Sequence, residues 1–456
     1  MKSRFSISNI IKLGLVGIII GIVGLTISGC GRHKPERIMQ DAQIAFQQRD
    51  FVTAMIKLDD FLQRYPNDPR AAEAQYAHAM SNMNLGRFDK AINEYQQVIK
   101  KYPASSEWVV RSELDIAAAY VQQSKFAEAI GQYDKVISTY SSNTNLIPLV
   151  RFYRAGTFVQ EKKWDEAVQG FTELANSNID DRKKLDAYFQ IAGIYLQTKK
   201  TAQLVATCNT MLAKFGKNEQ DLFNIYSLMV QGYKADKQYS KVLDTYKIML
   251  AKSGKNERQQ YSIYWSMAEI YRATKKYPAA IETYQIITTK FTTLPRIQKA
   301  EAEFNIADSY KQLKKYKEAI AVYQSVQEQY AKDPLAQDFA VWSNVEVGSI
   351  YRKEMKDIKA AQPYYDAAIK SYTATMNNPP MGDKGKAAYA AVKLAEIYEF
   401  HLGDLVKAKE VYQAAVKNFP KAPWTEYAAV GFKRLTEDTT KKIVTQEPAA
   451  KKANKK

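Results

Sequence analysis

The chain has 456 residues and a formal net charge of +18, with 46% hydrophobic and 25% charged residues. This balance is that of a folded protein, and 19 Gly, 14 Pro and 2 Cys exclude collagen-like, low-complexity and disulfide-stapled architectures.

At the start, Lys2 and Arg4 precede an apolar run from Leu13 to Thr26, followed by Ile27-Ser28-Gly29-Cys30. A positive opening, an apolar stretch of this length and small residues at its end predict a secretory signal peptide over 1–29. The run is short of the ~20 residues of a permanent span. The small pair Ser28-Gly29 directly before Cys30 resembles the lipobox of bacterial lipoproteins. That resemblance implies that Cys30 becomes the mature N-terminus, carries acyl chains such as palmitate and begins a tether over 30–37. Gly31 follows where an Asp would resemble an inner-membrane retention signal, so the resemblance favours the periplasmic face of the outer membrane. In a host with one membrane it implies a lipid anchor in the cell membrane. An uncleaved N-terminal anchor is the competing reading.

From residue 38 to 435 one block recurs. Its starts are Phe51, Phe88, Phe126, Trp164, Thr201, Tyr239, Tyr277, Tyr316, Ile358 and Leu405. Apolar or small residues at offsets 0, 3, 4, 7, 10, 11 and 14 of each block make one helical face. A second helix precedes each block: Tyr120, Phe158, Tyr195, Tyr233, Tyr271 and Tyr310 each lie six residues before a start. Three residues further back stand Ala117, Ala155, Ala192, Val230, Ala268 and Ala307. A small residue facing a large aromatic lets two helices pack closely. The expected fold is therefore all-α, a right-handed α-solenoid of about ten helical hairpins, each needing its neighbour to bury its apolar face.

The pattern Ala117, Tyr120, Ala129, Tyr133, with Pro66, Pro103 and Pro420 closing blocks, resembles the tetratricopeptide repeat. The blocks are longer than that family's 34 residues, with the surplus expected in the turn or the following first helix. Block five is irregular: Thr201 and Leu204 replace an aromatic and Ala, and Cys208 fills an aromatic slot. Residues 373–386 carry turn residues without helical period and are expected to form a loop. A last helix with Trp424, Tyr427, Ala428, Gly431, Phe432 and Leu435 near one face is expected to cap the array. The six-Lys tail 436–456 is expected to be disordered.

Catalytic chemistry finds little support. Cys208 in a core slot reads as a small buried hydrophobe. His33, His78 and His401 show no metal-ligand spacing, and the phosphate-loop-like Gly382–Lys386 lacks the required spacing, hydroxyl and preceding strand. The expectation is no enzyme, no cofactor, no metal and no nucleic-acid partner.

Residues 49–103, with Arg49-Asp50-Phe51, Arg64-Tyr65-Pro66 and Tyr102-Pro103, resemble the opening of BamD-type outer-membrane lipoproteins. The resemblance implies a membrane-anchored periplasmic scaffold that binds envelope proteins, such as a β-barrel assembly subunit. Similar hairpins also resemble lipoproteins that assist secretins, pili or peptidoglycan synthesis; a periplasmic hydrolase accessory is a further alternative. In tetratricopeptide arrays the first helix of each hairpin lines a binding groove. By that resemblance blocks three to five contribute Leu114, Ala118, Val121; Phe152, Gly156, Val159; and Phe189, Gly193, Leu196. Blocks six to eight contribute Ser227, Gln231, Lys234; Trp265, Glu269, Arg272; and Phe304, Asp308, Lys311. The expected groove thus passes from apolar to charged. The other reading of the apolar half is that it is core.

Overall fold

The computed structural model describes residues 34–254 and 256–450, with side chains through residue 437. Residues 1–29, Cys30 and residues 451–456 lie outside the described residues, and with them the expected signal peptide and acylation site. Among the described residues the fold is all-α, without strands.

Ten hairpins follow one another: α1 (Pro35–Gln47) and α2 (Phe51–Arg64), α3 (Ala71–Asn84) and α4 (Phe88–Lys101), α5 (Ser106–Gln122) and α6 (Phe126–Thr139), α7 (Leu146–Glu161) and α8 (Trp164–Asn176), α9 (Asp181–Gln197) and α10 (Thr201–Phe215). Then come α11 (Glu219–Ala235) and α12 (Tyr239–Lys252), α13 (Glu257–Ala273) and α14 (Tyr277–Lys290), α15 (Arg296–Gln312) and α16 (Tyr316–Tyr330), α17 (Gln337–Ser349) and α18 (Ile358–Asn377), and α19 (Lys384–Glu396) and α20 (Leu405–Asn418). A final helix, α21 (Thr425–Ala450), follows. Contacts divide the chain into two compact units, separated between Thr245 and Tyr246 inside α12.

All ten block starts are the first residues of second helices. Offsets 3, 7 and 10 are buried in every hairpin, from Ala54, Leu58 and Phe61 to Ala408, Tyr412 and Ala415. The spacing 3, 7, 10 advances close to whole turns of 3.6 residues, so these side chains form one stripe. Each large apolar side chain in it contributes about 1.5–3 kcal/mol through burial. Opposite the stripe, Ala117, Ala155, Ala192, Ala268 and Ala307 are fully or almost fully buried, and their missing bulk is what lets the aromatics of the second helices seat. The surplus length sits in the first helices: α5, α9, α11, α13 and α15 have 17 residues each.

The turn inside every hairpin holds one left-handed residue at the same place. The residue two before each block start is left-handed: Arg49, Ser124, Lys162, Lys199, Lys237, Lys275, Lys314 and Lys356 have φ of 57–63°, and Gly86 and Gly403 occupy the equivalent positions. In hairpins three to eight the next amide donates to the carbonyl of the first-helix aromatic, as in Lys276 N to Tyr271 O at 2.7 Å and Lys315 N to Tyr310 O at 3.0 Å, and in hairpins one and two to Ala45 O and Asn82 O. This closes the helix end with a left-handed cap. In hairpins nine and ten one more residue is accommodated by π-turns at Ile350–Glu354 and Ile397–Leu402. There Asp357 N and Asp404 N donate to Tyr351 O and Tyr398 O, both at 2.8 Å.

Hairpin five compensates its irregular residues. Leu204 replaces Ala at offset 3, and the next first helix answers with Gly232, where a Cβ would come within 2.6 Å of Leu204 Cδ2. Cys208 is fully buried in the aromatic slot, and burial pushes its thiol up to about 12.

Four expectations are corrected. Residues 373–386 are not one loop: α18 runs on through Asn377 and α19 starts at Lys384, because the Asp383 carboxylate caps α19 by accepting from Gly385 N and Lys386 N. The array begins at Pro35 rather than residue 38, since Pro favours the first turn of a helix. The backbone of the expected tail is helical through Ala450. Within the cap, Ala428, Gly431 and Leu435 face inward, but Tyr427 is 64% exposed.

Candidate protein-binding groove

The first helices of the second unit carry a ladder of charges that steps from hairpin to hairpin. Arg272 on α13 holds Glu269 Oε1 at 3.2 Å and reaches across to α15, with Nη2 3.1 Å from Asp308 Oδ2 and Nη1 2.9 Å from Asn305 Oδ1. Lys311 lies 3.3 Å from Asp308 and 2.7 Å from Glu346 on α17. Burial opposes the charge of Lys311, but Glu346 and Asp308 outweigh it and hold its pKa above the usual lysine value. Arg272 is raised in the same way, burial being outweighed by Tyr284, Glu269 and Asp308. Beneath this ladder Trp265 packs edge-on against Tyr284 (5.5 Å between centroids), and Phe304 packs against Tyr323 and Trp342 at 5.2 and 6.0 Å.

Beyond the ladder the face opens into two cavities. One, of about 330 Å³, lies among α15, α17 and α19 and is lined by Phe304, Trp342, Val345, Glu346, Glu396 and His401, among others. The other, of about 390 Å³, lies between α19 and α21, floored by Tyr412 and walled by Val392, Glu396, Phe400, Tyr427, Val430 and Arg434. Glu396 lines both, so the two cavities adjoin at that residue. Phe400 (55% exposed), Tyr427 (64%) and Val430 (65%) stand at the open end of the larger one. Arg434 is held by Glu399 at 2.6 and 2.7 Å, and Lys393 by Glu396 at 2.7 Å. Burial and the nearby cations Lys353, Lys311 and Arg352 bring His401 down to about 4, so its imidazole is neutral at physiological pH.

Gly431 explains why α21 can close this groove. A Cβ there would lie 2.6 Å from the Tyr412 ring, so only glycine lets the cap helix come down onto α20. Gly348 makes the same approach to Tyr365, at 2.9 Å.

The first unit uses the matching positions differently. Phe189 (7% exposed), Val121 and Val159 are buried, which corrects their expected place in a groove. Phe189 sits in a core with Leu185, Cys208 and Met211. Phe152 is half-buried, its ring edge-on to Phe171 at 5.3 Å; Leu114 and Leu196 pack onto adjoining cores. The apolar half of the expected groove is core because aliphatic and aromatic side chains at these positions fill the wedge between neighbouring first helices. Polar groups are buried here as well. The Tyr76 hydroxyl donates to Asp115 at 2.6 Å, and burial pushes the Asp115 carboxyl up to about 6 against that hydrogen bond. His78 lies 2.6 Å from Glu94 and 3.3 Å from Asp59. Burial works against its charge, yet the two carboxylates outweigh it and raise its pKa.

Tetratricopeptide-repeat patterns match residues 73–105 and 301–333, and a further tetratricopeptide-repeat pattern matches 351–423. The chain carries tetratricopeptide repeats. It is similar to the solved apo form of RapI, with 11% identity over 76% of this chain and 97% of that one and a TM-score of 0.37. It is also similar to a tetratricopeptide repeat protein of Parabacteroides merdae, with 11% identity, 68% and 98% coverage and a TM-score of 0.27. A third is the C-terminal part of a repeat protein of Cytophaga hutchinsonii, with 15% identity, 61% and 98% coverage and a TM-score of 0.36. No curated protein matches the chain. Tetratricopeptide repeats generally mediate protein–protein interactions.

Of the residues expected in the groove, Glu269, Arg272, Asp308 and Lys311 come together in one network, with Trp265 and Phe304 beneath it. Sequence reasoning missed Val345, Glu346, Val392, Glu396, Phe400, His401, Tyr427 and Val430. A signal existed for three of them. Counted from Tyr351 and Tyr398, the same repeat offsets fall on Val345, Val392 and Glu396. The π-turns had moved those aromatics one residue away from their block starts, which hid the register.

Proposed function

We propose that the protein is a non-enzymatic lipoprotein scaffold, anchored through acylated Cys30 at the periplasmic face of the outer membrane, that holds other envelope proteins in place. The observation that carries the binding role is the pair of adjoining cavities in the second unit, where Phe400, Tyr427 and Val430 stay exposed although the other aromatics among the described residues are buried or half-buried. Large apolar side chains gathered around a cavity suit the anchor residues of a partner segment. The paired charges from Glu269 to Glu346 would set the register of that segment rather than add much affinity. The specific version we favour is a BamD-like role in outer-membrane protein assembly, supported by the resemblance of residues 49–103.

A photo-crosslinking residue at position 427, used in intact membranes, tests this reading. Crosslinks to a barrel-assembly subunit would support the specific version. A secretin or a peptidoglycan synthase in its place would keep the scaffold and replace the pathway. Crosslinks from other faces but none from positions 400, 427 and 430 would remove the groove. Fatty-acid labelling that persists in Cys30→Ala would remove the anchor.

A further inference from the structure

The first hairpin differs from the other nine on its outward surface. Val52 and Ile56, at offsets 1 and 5 of α2, are 51% and 61% exposed and lie one helical turn apart on one face. In the other hairpins these two offsets read Asp89 and Asn93, Ala127 and Gly131, Asp165 and Gln169, Ala202 and Ala206, Ser240 and Asp244, Pro278 and Glu282, Lys317 and Ala321, Lys359 and Pro363, and Val406 and Glu410. A single exposed aliphatic needs no explanation. Here nine equivalent positions act as internal controls, and only the first hairpin places a large aliphatic at both.

The charges of the same hairpin point the same way. Its acids are engaged: Asp41 lies 3.8 Å from Lys57, Asp60 2.5 Å from Arg64, Glu36 3.3 Å from Arg70 and Asp59 3.3 Å from His78, while Asp50 caps α2 through Thr53 N. Lys34, Arg37 and Arg49 are exposed and make no ion pair among the described residues. Residues 34–64 are formally neutral, but Glu36 and Asp59 pair with Arg70 and His78 of the next hairpin, so the charges left without an ion pair here are these three cations against Asp50 alone. Four residues separate Cys30 from Pro35, a span of five Cα steps and a reach of at most about 17 Å.

We propose that the outer face of the first hairpin rests on the anionic phospholipid surface of the membrane that holds the anchor, with Val52 and Ile56 dipping into the headgroup boundary and Lys34, Arg37 and Arg49 facing lipid phosphates. This rests on the acylated-Cys30 reading. Neither two aliphatics nor three cations bind a membrane firmly alone. A short tether makes their contact intramolecular, which raises its occupancy without adding affinity of its own. The result would fix the orientation of the first hairpin instead of leaving it to swing on its linker.

The test uses the full acylated chain in vesicles of phosphatidylglycerol and phosphatidylethanolamine. An environment-sensitive fluorophore is placed at Ile56→Cys or, as control, at Asn93→Cys, the same offset one hairpin later; Cys208 is buried and does not compete. Bromine-labelled lipid should quench the Ile56 probe several-fold more than the Asn93 probe, and less so in phosphatidylcholine or high salt. Equal quenching at both sites on protein with acylated Cys30 would overturn the proposal and leave the anchor standing. An Ile56 probe shielded from water but not quenched by lipid would also overturn it, in favour of a protein partner. The mass of the Cys30 peptide reports the anchor separately: unmodified Cys30 with strong quenching at Ile56 would remove the lipoprotein reading and keep the lipid contact. Val52→Ser with Ile56→Ser should abolish shielding at a probe on Arg49→Cys while leaving the melting curve unchanged.

Discussion

The two units place different chemistry at the same repeat positions. In the first, Val121, Val159 and Phe189 fill the wedge between neighbouring first helices and become core. In the second, Glu269, Arg272, Asp308 and Lys311 cannot be buried alone, so they pair from hairpin to hairpin and the face beyond them stays open. A repeat position therefore fixes where a side chain points, and the chemistry of the side chain decides whether that place is interior or surface.

The sharpest way to break the comparison is truncation. Phe189→Ala should cost about 3–5 kcal/mol of first-unit stability, the usual loss for a buried aromatic, with no selective effect on partner capture. Tyr427→Ala should do the reverse, changing urea unfolding by less than about 0.5 kcal/mol while weakening capture. Similar melting for the two variants would mean that the units do not differ as described.

Next in size is closure of the groove. Gly431→Ala forces a methyl onto the Tyr412 ring and should destabilise the α20–α21 contact by about 1–3 kcal/mol, seen as faster proteolysis from the C-terminal end.

Acid should separate the units through single groups. His401 has a folded pKa of about 4, below the unfolded value, so between pH 6.5 and 4 the unfolded chain binds a proton that the native chain refuses. Stability from this group falls as the pH drops through that window, by about 3 kcal/mol at most, and His401→Phe should flatten the fall. Asp115 has the opposite sign: its folded pKa of about 6 exceeds the unfolded value, so its contribution improves as the pH falls from 6 to 4. Asp115→Asn should remove that improvement. Urea titrations of each variant and the parent chain across this range check both signs.

The smallest effect is a control on which the units should agree. Lys199 and Lys275 hold left-handed turns of the same geometry, with φ of 57° and 59°. Lys199→Gly and Lys275→Gly should each stabilise by about 0.5–1 kcal/mol, because glycine adopts this conformation without strain. Unequal gains in thermal melting would show that the turns are not equivalent.

Much of the fold was legible in the sequence because a hairpin is a local object. The spacing 3, 7, 10 and, in hairpins three to eight, the small–aromatic pair ahead of each start are set by helical periodicity, and each start proved to be the first residue of a helix. Loop 373–386 was misread because turn-forming residues are also cap residues: Asp383 begins a helix rather than interrupting one. Half of the groove was legible for the opposite reason. Charges such as Arg272 and Asp308 declare themselves polar wherever they stand, whereas Phe189 is equally suited to a groove and to a core.

The sequence by itself determined the helices, their order, the buried stripe of each hairpin and the resemblance of its first thirty residues to a lipobox. Tertiary structure decided which apolar first-helix residues are interior, how Gly232 makes room for Leu204, and that α21 settles on Tyr412 to leave Tyr427 outside. Periodicity is a property of neighbouring residues along one helix. Exposure depends on how closely the next hairpin approaches, and that distance is set by side-chain volumes about forty residues away.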